Sequence, residues 1–276
     1  MNVEVFERKE TILHVEGVSL RFGDNLILRD VNIDVKNIVR PGLNQGQVVG
    51  LLGPSGIGKT QLFRIMAGLQ PPTSGQVTIN AHSTPVSAGL VGVVSQNYRL
   101  FPWRTTIGNL LVAGSQAGLS KKAALEKAKE LLQRFSLYDR RLHYPAQLSG
   151  GQRQRIAIAQ QLMCSEHFLL MDEPFSGLDI VAKAQVCGLI AEVAAMDELN
   201  TIIVVSHDIE TTSSIADTVW LLGLDRDADG NFVSGARIQE VYDLAAAGLA
   251  WHKDITLAPE FADFVRQIRI RFSTLR

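Results

Sequence analysis

QVVGLLGPSGIGKT, residues 47–60, is the stretch of sequence that decides the fold class. Residues 47–52 are largely apolar, as in a buried parallel strand. Residues 53–60 match the pattern G-x-x-x-x-G-K-S/T, in which small residues let backbone N–H groups surround a phosphate. Residues 59–67 then place apolar side chains at helical spacing, and a helix start favours an anion because its dipole is positive there. A strand, a phosphate-binding loop and a helix in this order predict a nucleotide-binding α/β domain.

Strand-like and helix-like segments alternate on both sides of this stretch. Short apolar runs are followed by segments with one apolar helical face, and a mainly helical block interrupts the alternation near the middle of the chain. Strands that alternate with helices predict a parallel, doubly wound sheet with helices on both faces. The predicted strands are residues 12–22, 27–35, 47–52, 76–79, 90–94, 168–171 and 202–205, and the predicted helices are residues 59–67, 121–135, 152–163 and 181–195.

Composition narrows the classes of protein to consider. The 276 residues suffice for one large domain or for a domain with an appendage, and a net charge of -1 argues against a nucleic-acid partner. Cys164 and Cys187 cannot form a disulfide framework, so we expect reduced core cysteines of a cytosolic protein. Residues 1–10 do not resemble a secretory signal, and the apolar runs fall short of the about 20 residues that cross a bilayer. Work at a membrane would therefore require another chain to cross it.

Two carboxylates, Asp172 and Glu173, end the apolar run at residues 168–171. In open α/β sheets, ligands bind at the carboxyl ends of the strands. Beside a phosphate loop, this position predicts that Asp172 and the hydroxyl of Thr60 hold Mg²⁺, and that Glu173 orients or deprotonates the attacking water. Lys59 would neutralise the β- and γ-phosphates. An isolated Asp-Glu pair would instead be a strand-ending turn.

A second candidate anion site is the pentapeptide LSGGQ, residues 148–152. Ser149 offers a hydroxyl group, and two glycines expose backbone N–H groups where the helix predicted for residues 152–163 begins. One nucleotide has one triphosphate, so the two anion sites would share it either within one chain or across a dimer. The residues alone leave both arrangements open.

The order of these motifs resembles the ATP-binding cassette (ABC) family, from about residue 16 to residue 224. The resemblance implies an α/β fold with a phosphate-loop, RecA-like core of mostly parallel sheet, an antiparallel β subdomain and an inserted helical subdomain. The ATPase domain would cover residues 1–224, with the helical subdomain at about 100–165, and residues 225–276 would form a C-terminal β-hairpin and helical extension. The resemblance also implies that two such domains close on ATP, each lending residues 148–152 to the nucleotide of the other.

Four further positions match motifs of that family. Phe22 matches an aromatic residue that stacks on adenine. Gln96 matches a glutamine that senses Mg²⁺ and the γ-phosphate, Asp179 an aspartate that communicates across the dimer, and His207 a switch histidine that contacts the γ-phosphate. The resemblance thus implies catalytic roles for Glu173, His207 and Gln96, Mg²⁺ contacts for Thr60, Gln96 and Asp172, and ATP contacts for Phe22, Gly53, Pro54, Ser55, Gly56, Ile57, Gly58, Lys59, Thr60, Gln61, Leu148, Ser149, Gly150, Gly151, Gln152 and Asp179.

Some positions depart from the family pattern. Gln61 replaces the usual hydroxyl residue after Thr60, which alters one α-phosphate contact, and two glutamines at 160–161 stand where Arg-Ala is common. The connection at residues 36–44 is longer than usual, and its Pro-Gly pair at 41–42 predicts an exposed loop. None of these changes removes a catalytic group.

Two patterns follow the region of resemblance. Residues 225–230 imitate the start of a calcium loop, but Ala236 stands where such a loop needs a bidentate Glu, so we expect a hairpin turn between strands 219–224 and 232–239. Pro259 then predicts a helix start. Its apolar face, Phe261, Phe264, Val265 and Ile268, is expected to pack on its own domain, whereas Arg266, Arg269, Arg271 and Arg276 leave an alternative role at a membrane surface or in regulation.

Residues 100–110, LFPWRTTIGNL, resemble a segment of nitrate, sulfonate and taurine importers that borders the surface for the membrane subunit. The resemblance implies an ATPase subunit that uses ATP and Mg²⁺ to import a small anion, peripheral on the cytoplasmic face of the inner membrane. The implied partners are a second ATP-binding subunit, in a homodimer or pseudo-dimer, transmembrane permease subunits and a substrate-binding protein, with no nucleic acid.

Two alternatives stand beside this expectation. An exporter or lipid-transport ATPase has the same domain. A soluble ABC ATPase of translation or DNA repair works without a permease, but translation members usually carry two cassettes, and repair members carry a long coiled-coil or zinc insertion. This sequence has one cassette and neither insertion.

Overall fold

The computed structural model describes residues 6–40, 45–79, 84–95, 98–165, 167–251 and 254–276. Its strands are β1 (Glu7–Phe22), β2 (Asn25–Val39), β3 (Gln47–Leu52), β4 (Ser74–Ile79), β5 (Thr84–Pro85), β6 (Gly92–Val94), β7 (Phe168–Asp172), β8 (Thr201–Ser206), β9 (Thr218–Arg226) and β10 (Phe232–Asp243). Its α-helices are α1 (Lys59–Met66), α2 (Thr106–Gln116), α3 (Lys121–Arg134), α4 (Gly150–Leu162), α5 (Ile180–Ala194), α6 (Ile209–Ser213) and α7 (Pro259–Phe272). No helix in these ranges is both long enough and apolar enough to cross a membrane.

The described strands form one mixed sheet in the order β5-β4-β1-β2-β10-β9-β3-β8-β7-β6. The neighbours β9, β3, β8, β7 and β6 are parallel, which confirms the predicted parallel core. β1, β2, β4 and β5 pair antiparallel, in agreement with the antiparallel β subdomain that the family resemblance implied. A two-residue turn at Gly23 and Asp24 joins β1 to β2, and so short a connection permits only antiparallel pairing.

The hairpin of β9 and β10 lies inside this sheet rather than at its edge. Its two strands pair antiparallel across the turn at residues 227–231, in agreement with the turn predicted from the sequence. On its other side β10 meets β2 in parallel, where Ala236 pairs with Leu28. The hairpin therefore connects the antiparallel strands to the parallel core.

β3 lies in the middle of the parallel core, and all its residues are buried. Leu51 belongs to a cluster that includes Phe63 of α1. Val48, on the opposite face, belongs to a second cluster with Ile156 of α4 and Ile190 of α5. Helices thus cover both faces of β3, and the loop that follows Leu52 starts from a rigid, fully packed strand.

The helical block at residues 100–165 contains one helix that the sequence pattern missed. Ser120 immediately precedes α3. Its Oγ accepts a hydrogen bond from the backbone N–H of Ala123 at 3.2 Å, which confirms Ser120 as the predicted N-cap. α2 was not predicted, because Gly108 and Gly114 lower its helix propensity. Packing of α2 against α3 and α4 supplies the stability that its sequence lacks. Cys164, next to α4, and Cys187, on α5, are free thiols that are half-buried against the second core cluster rather than fully inside it.

The prediction of an exposed loop at residues 36–44 is wrong for residues 36–40. β2 continues through this region, and Arg40 is buried in an ion pair with Asp217. Asp217 also accepts a hydrogen bond from the backbone N–H of Val48 at 2.8 Å. A fully buried carboxylate needs such partners, and Arg40 provides the charge, which explains why the strand end is not exposed. Residues 41–44 lie outside the described part of the chain.

α7 packs on its own domain, as expected. Phe261 and Ile268 are buried in a cluster with Val219 and Leu221 of β9. The arginines of α7 also meet acidic partners on the same chain, Arg266 with Asp263, Arg269 with Glu210 and Arg271 with Glu240.

Candidate functional site

The predicted phosphate loop joins the end of β3 to α1. Gly53 has no room for a side chain, because a Cβ there would lie 2.6 Å from the carbonyl oxygen of Leu222. Gly56 and Gly58 have φ angles of 78° and 113°, a region that favours glycine. Gly58 precedes α1 and gives it no side-chain cap, so the first N–H groups of the helix can face a phosphate.

Lys59 is buried beneath this loop with its charge held by backbone carbonyls. Its Nζ donates hydrogen bonds to the carbonyl oxygens of Gly53 at 2.7 Å and Pro54 at 3.1 Å, and lies 4.0 Å from Glu173 Oε1. Burial lowers the pKa of Lys59, while the carboxylates of Glu173 and Asp172 act to raise it. A bound phosphate would supply further negative charge and so offset the cost of burying the ammonium group.

Asp172 ends β7 beside the loop, and its surroundings fit a cation. Its Oδ1 is buried without a hydrogen-bond partner among the described residues. Burial raises the pKa of Asp172 and so does Glu173, whereas Lys59 and a hydrogen bond from Thr60 act to lower it. An orphaned carboxylate oxygen suits Mg²⁺, which takes one or two protein oxygens together with phosphate oxygens and water. Asp172 and the Thr60 hydroxyl, which is hydrogen-bonded to it, are the groups of this site that fit this ion.

Glu173 follows β7 with a φ angle of 49°, a strained conformation for a residue with a side chain. Its carboxylate meets the end of β8. His207 Nδ1 lies 2.9 Å from Glu173 Oε2, and Ser206 Oγ donates a hydrogen bond to the same oxygen at 3.3 Å. Backbone strain at a residue with such a network is typical of functional sites. The fold therefore brings together the two residues predicted to act at the γ-phosphate.

A cleft of about 450 Å³ lies above the phosphate loop. Phe22 is 51% exposed at one side of it, which leaves its ring available to stack on a base. Gln61 also lines the cleft, and its Oε1 is buried without a hydrogen-bond partner among the described residues. The lining residues are Phe22, Ile27, Ser55, Gly56, Gly58, Lys59, Thr60, Gln61 and Glu173.

The LSGGQ segment lies at a different place on the chain. Ser149 caps α4, because its Oγ accepts a hydrogen bond from the N–H of Gln152 at 3.3 Å and its own N–H donates to Gln152 Oε1 at 3.0 Å. Residues 149–152 line a separate cavity of about 550 Å³, which shares no lining residue with the cleft above the phosphate loop. The two anion sites therefore line separate cavities of the chain.

Other predicted site residues have surroundings of their own. Asp179 caps α5, where its Oδ1 accepts a hydrogen bond from the N–H of Ala182 at 2.8 Å. Ile57 and Leu148 are buried in hydrophobic clusters, so only their backbones could face a ligand. Gln96 lies outside the described residues.

Two polar contacts near the site were not predicted. Lys183 Nζ lies 2.5 Å from Asp208 Oδ2; burial would raise the pKa of Asp208, but hydrogen bonds from Lys183 and Thr211 hold it below its usual value. Arg276 donates a hydrogen bond to the carbonyl oxygen of Ser55 in the phosphate loop. Each contact joins segments that are distant in sequence, so neither periodicity nor a local motif could have indicated it.

Comparisons with known proteins agree with this geometry. Residues 37–176 match a family model described as ABC transporter. An aliphatic sulfonates import ATP-binding protein of Rhodococcus jostii (strain RHA1) is 36% identical over 220 residues, which cover 78% of this chain and 82% of that protein. A sulfate/thiosulfate import ATP-binding protein of Mesostigma viride is 32% identical over 259 residues, covering 91% and 70%. A taurine import ATP-binding protein of Yersinia pestis bv. Antiqua (strain Antiqua) is 35% identical over 213 residues, covering 76% and 79%.

A solved structure shares the fold. The structure of cbiO1 from Clostridium perfringens, described as part of the ABC transporter complex cbiONQ, matches with a TM-score of 0.71. The match covers 96% of this chain and 97% of that chain at 22% sequence identity. The mixed sheet with its surrounding helices is therefore a fold that a solved structure shares over nearly the whole chain.

Proposed function

This chain belongs to the ABC transporter family as an ATP-binding subunit and ATPase, and we propose that it powers the import of a small anion. The observation that supports ATP hydrolysis is the cleft lined by the phosphate loop, Lys59 and Glu173, with the carboxylate of Asp172 close enough to act on the pKa of Lys59. The choice of cargo is supported by relatives whose names specify import of aliphatic sulfonates, sulfate or thiosulfate, and taurine. The proposed cargoes are nitrate, a sulfonate or taurine; the names of these relatives support the sulfonate and taurine, and the resemblance of residues 100–110 adds nitrate.

The residues around the cleft would have different roles in ATP hydrolysis. The loop N–H groups and Lys59 would bind the phosphates, and Phe22 would stack on adenine. Thr60 and Asp172 would hold Mg²⁺, which when bound neutralises phosphate charge. Glu173 Oε2 would accept the proton of the attacking water, and His207 would hold that carboxylate in place and contact the γ-phosphate.

A second ATP-binding subunit is proposed to complete each site. Residues 149–152 and the phosphate loop line separate cavities of one chain, which supports a nucleotide that is shared between two chains. α5 starts beside Asp179 with Ile180 and Val181, which are 86% and 67% exposed. Apolar side chains this exposed would be covered by a partner. The partner is an identical chain or a homologous one, in a homodimer or pseudo-dimer.

Transmembrane permease subunits and a substrate-binding protein are the other proposed partners. The backbone N–H of Thr106 donates to the carbonyl of His143 at 2.7 Å, which brings the segment around Trp103 beside the segment around Tyr144. Both aromatic side chains are exposed, and Leu142 adds a third exposed apolar side chain. Exposed apolar side chains on adjacent segments suit a docking surface. We therefore expect the chain to bind peripherally at the cytoplasmic face of the inner membrane.

Purification of the complex from detergent-solubilised membranes tests the proposed function. Import predicts a stable complex with permease subunits, and an ATPase rate that rises in proteoliposomes when the binding protein carries nitrate, a sulfonate or taurine. A relative from Rhizobium etli is named for import of Fe(3+) ions, so Fe³⁺ is the matched control cargo. Stimulation by Fe³⁺ alone, or transport outward, would contradict anion import. Association with ribosomes or DNA in the absence of a permease would overturn transport altogether.

A further inference from the structure

Arg276 lies against the phosphate loop. Its Nη1 donates a hydrogen bond to the carbonyl oxygen of Ser55 at 2.5 Å. Its Nη1 and Nη2 are 3.7 Å and 3.9 Å from the position that a Cβ of Gly56 would occupy. Arg276 is exposed, so its guanidinium adds a positive charge beside Ser55 and Gly56, two of the loop residues that line the cleft.

The backbone that carries Arg276 is fixed in place. Leu275 is 2% exposed and packs on Gly223, where an added Cβ would lie 2.6 Å from the Leu275 side chain. The N–H of Leu224 donates a hydrogen bond to the carbonyl of Leu275 at 3.0 Å. Arg276 therefore starts from a defined position, and little backbone entropy opposes its contact with the loop.

Three consecutive carbonyl groups of the loop accept hydrogen bonds from cationic side chains. Lys59 binds the first two, and Arg276 binds the third, at Ser55. The peptide that joins Ser55 to Gly56 is trans, so its C=O and N–H point in opposite directions. By holding the C=O, Arg276 fixes the direction of the Gly56 N–H. Gly56 lies in a region of φ that glycine enters and leaves easily, so this peptide would otherwise turn with little cost.

We propose that Arg276 is a positioning residue for ATP binding, acting through the peptide between Ser55 and Gly56. It keeps the Gly56 N–H directed at the phosphates and polarises that peptide, which makes the N–H a stronger donor. The contact is the same for bound ATP and for the reacting complex, so it contributes to nucleotide affinity rather than to the rate of the chemical step. The inference rests on binding of ATP at this loop.

Nucleotide titration and steady-state kinetics of Arg276 variants test the inference. Arg276→Ala is expected to raise the Kd and the KM for ATP about fivefold to tenfold with kcat little changed, since a hydrogen bond from a charged group is lost. Arg276→Lys retains a charged donor and is expected to recover part of the affinity. Arg266→Ala is the matched control, because Arg266 pairs with Asp263 on the exposed side of α7, and it should leave both constants unchanged.

Two further measurements make the result decisive. Lys59→Ala separates this inference from ATP binding itself: if it leaves the Kd unchanged, the loop does not bind ATP and both proposals fail. If Lys59→Ala weakens binding while Arg276→Ala changes neither Kd nor KM, the role of Arg276 alone is overturned. Thermal unfolding is measured for every variant, and equal losses of affinity and of Tm in Arg276→Ala and Arg276→Lys would mean that Arg276 only stabilises the fold, which also overturns the inference.

Discussion

His207 Nδ1 lies 2.9 Å from Glu173 Oε2, although the two residues are 34 positions apart. The register of the sheet explains the contact, because Asp172 at the end of β7 pairs with Val205 near the end of β8. The N–H of Glu173 also donates to the carbonyl of Val205 at 2.8 Å, which fixes the turn after β7. β8, which ends just before His207, therefore holds Glu173 in place. Glu173 is the candidate base, and His207 is the candidate contact of the γ-phosphate.

Glu173→Gln is expected to bind ATP and to hydrolyse it ~10² to 10⁴ times more slowly, because an amide cannot accept the proton of the attacking water. The phosphate loop and Lys59 are unchanged in this variant, so the Kd for ATP should stay close to that of the wild type. Single-turnover hydrolysis and nucleotide titration measure the two quantities separately.

Glu130→Gln is the control for this substitution, since Glu130 is exposed on α3, outside the residues that line the cleft. Glu130→Gln should leave both the rate of ATP hydrolysis and the Kd for ATP unchanged. Near-normal turnover by Glu173→Gln would remove Glu173 from the role of base.

The local parts of this fold follow from the sequence. The run at 47–52, the glycines of the loop and the helix after it form one continuous motif, and their chemistry requires only neighbours in the chain. The carboxylates after β7 are equally predictable, because an apolar run that ends in two acids marks a strand end in this kind of sheet.

The parts that the sequence did not indicate depend on distant contacts. α2 contains Gly108 and Gly114, and it is helical because α3 and α4 pack against it. Arg40 follows β2 directly and is buried instead of exposed in a loop, because Asp217, 177 positions away, pairs with it. Arg276 reaches a loop 221 positions away through the packing of Leu275. Propensity and periodicity carry no information about such pairs.

Asp172→Asn is expected to raise the Mg²⁺ concentration for half-maximal ATP hydrolysis by about tenfold or more, because an amide oxygen is a weaker ligand than a carboxylate. Its buried Oδ1, which has no hydrogen-bond partner among the described residues, is the group that the ion would satisfy. A Mg²⁺ titration at saturating ATP measures the effect, with Asp139→Asn, on the 3₁₀ turn after α3, as the control. The same Mg²⁺ dependence in Asp172→Asn and wild type would show that Asp172 does not hold the ion.

Tyr242→Phe is expected to destabilise the fold in a pH-dependent way. Burial and the hydrogen bond to Glu240 raise the pKa of Tyr242 from 10.0 to about 12. Because the folded-state value exceeds the unfolded one, the bond stabilises the fold fully below pH 10 and progressively less as the pH rises to about 12. The free energy of unfolding should therefore be lower by about 1 kcal/mol in the variant at pH 8, and this advantage of the wild type should fall as the pH rises above 10.

Urea unfolding of Tyr242→Phe and wild type at several pH values measures this difference. Tyr144→Phe is the control, because Tyr144 is exposed and its substitution should have little effect at any of these values. A difference between Tyr242→Phe and wild type that stays constant from pH 8 to the alkaline end would contradict the assigned bond.

The central claim is that two chains share each nucleotide, one through its phosphate loop and the other through residues 149–152. The most direct test is sedimentation velocity of Glu173→Gln with and without Mg-ATP, because this variant should bind ATP without consuming it. The predicted result is a monomer that becomes a dimer on addition of Mg-ATP, and that stays a monomer when Ser149→Arg is added to the same background. A Glu173→Gln protein that remains monomeric with ATP bound, or that dimerises equally well with Ser149→Arg, would contradict the claim.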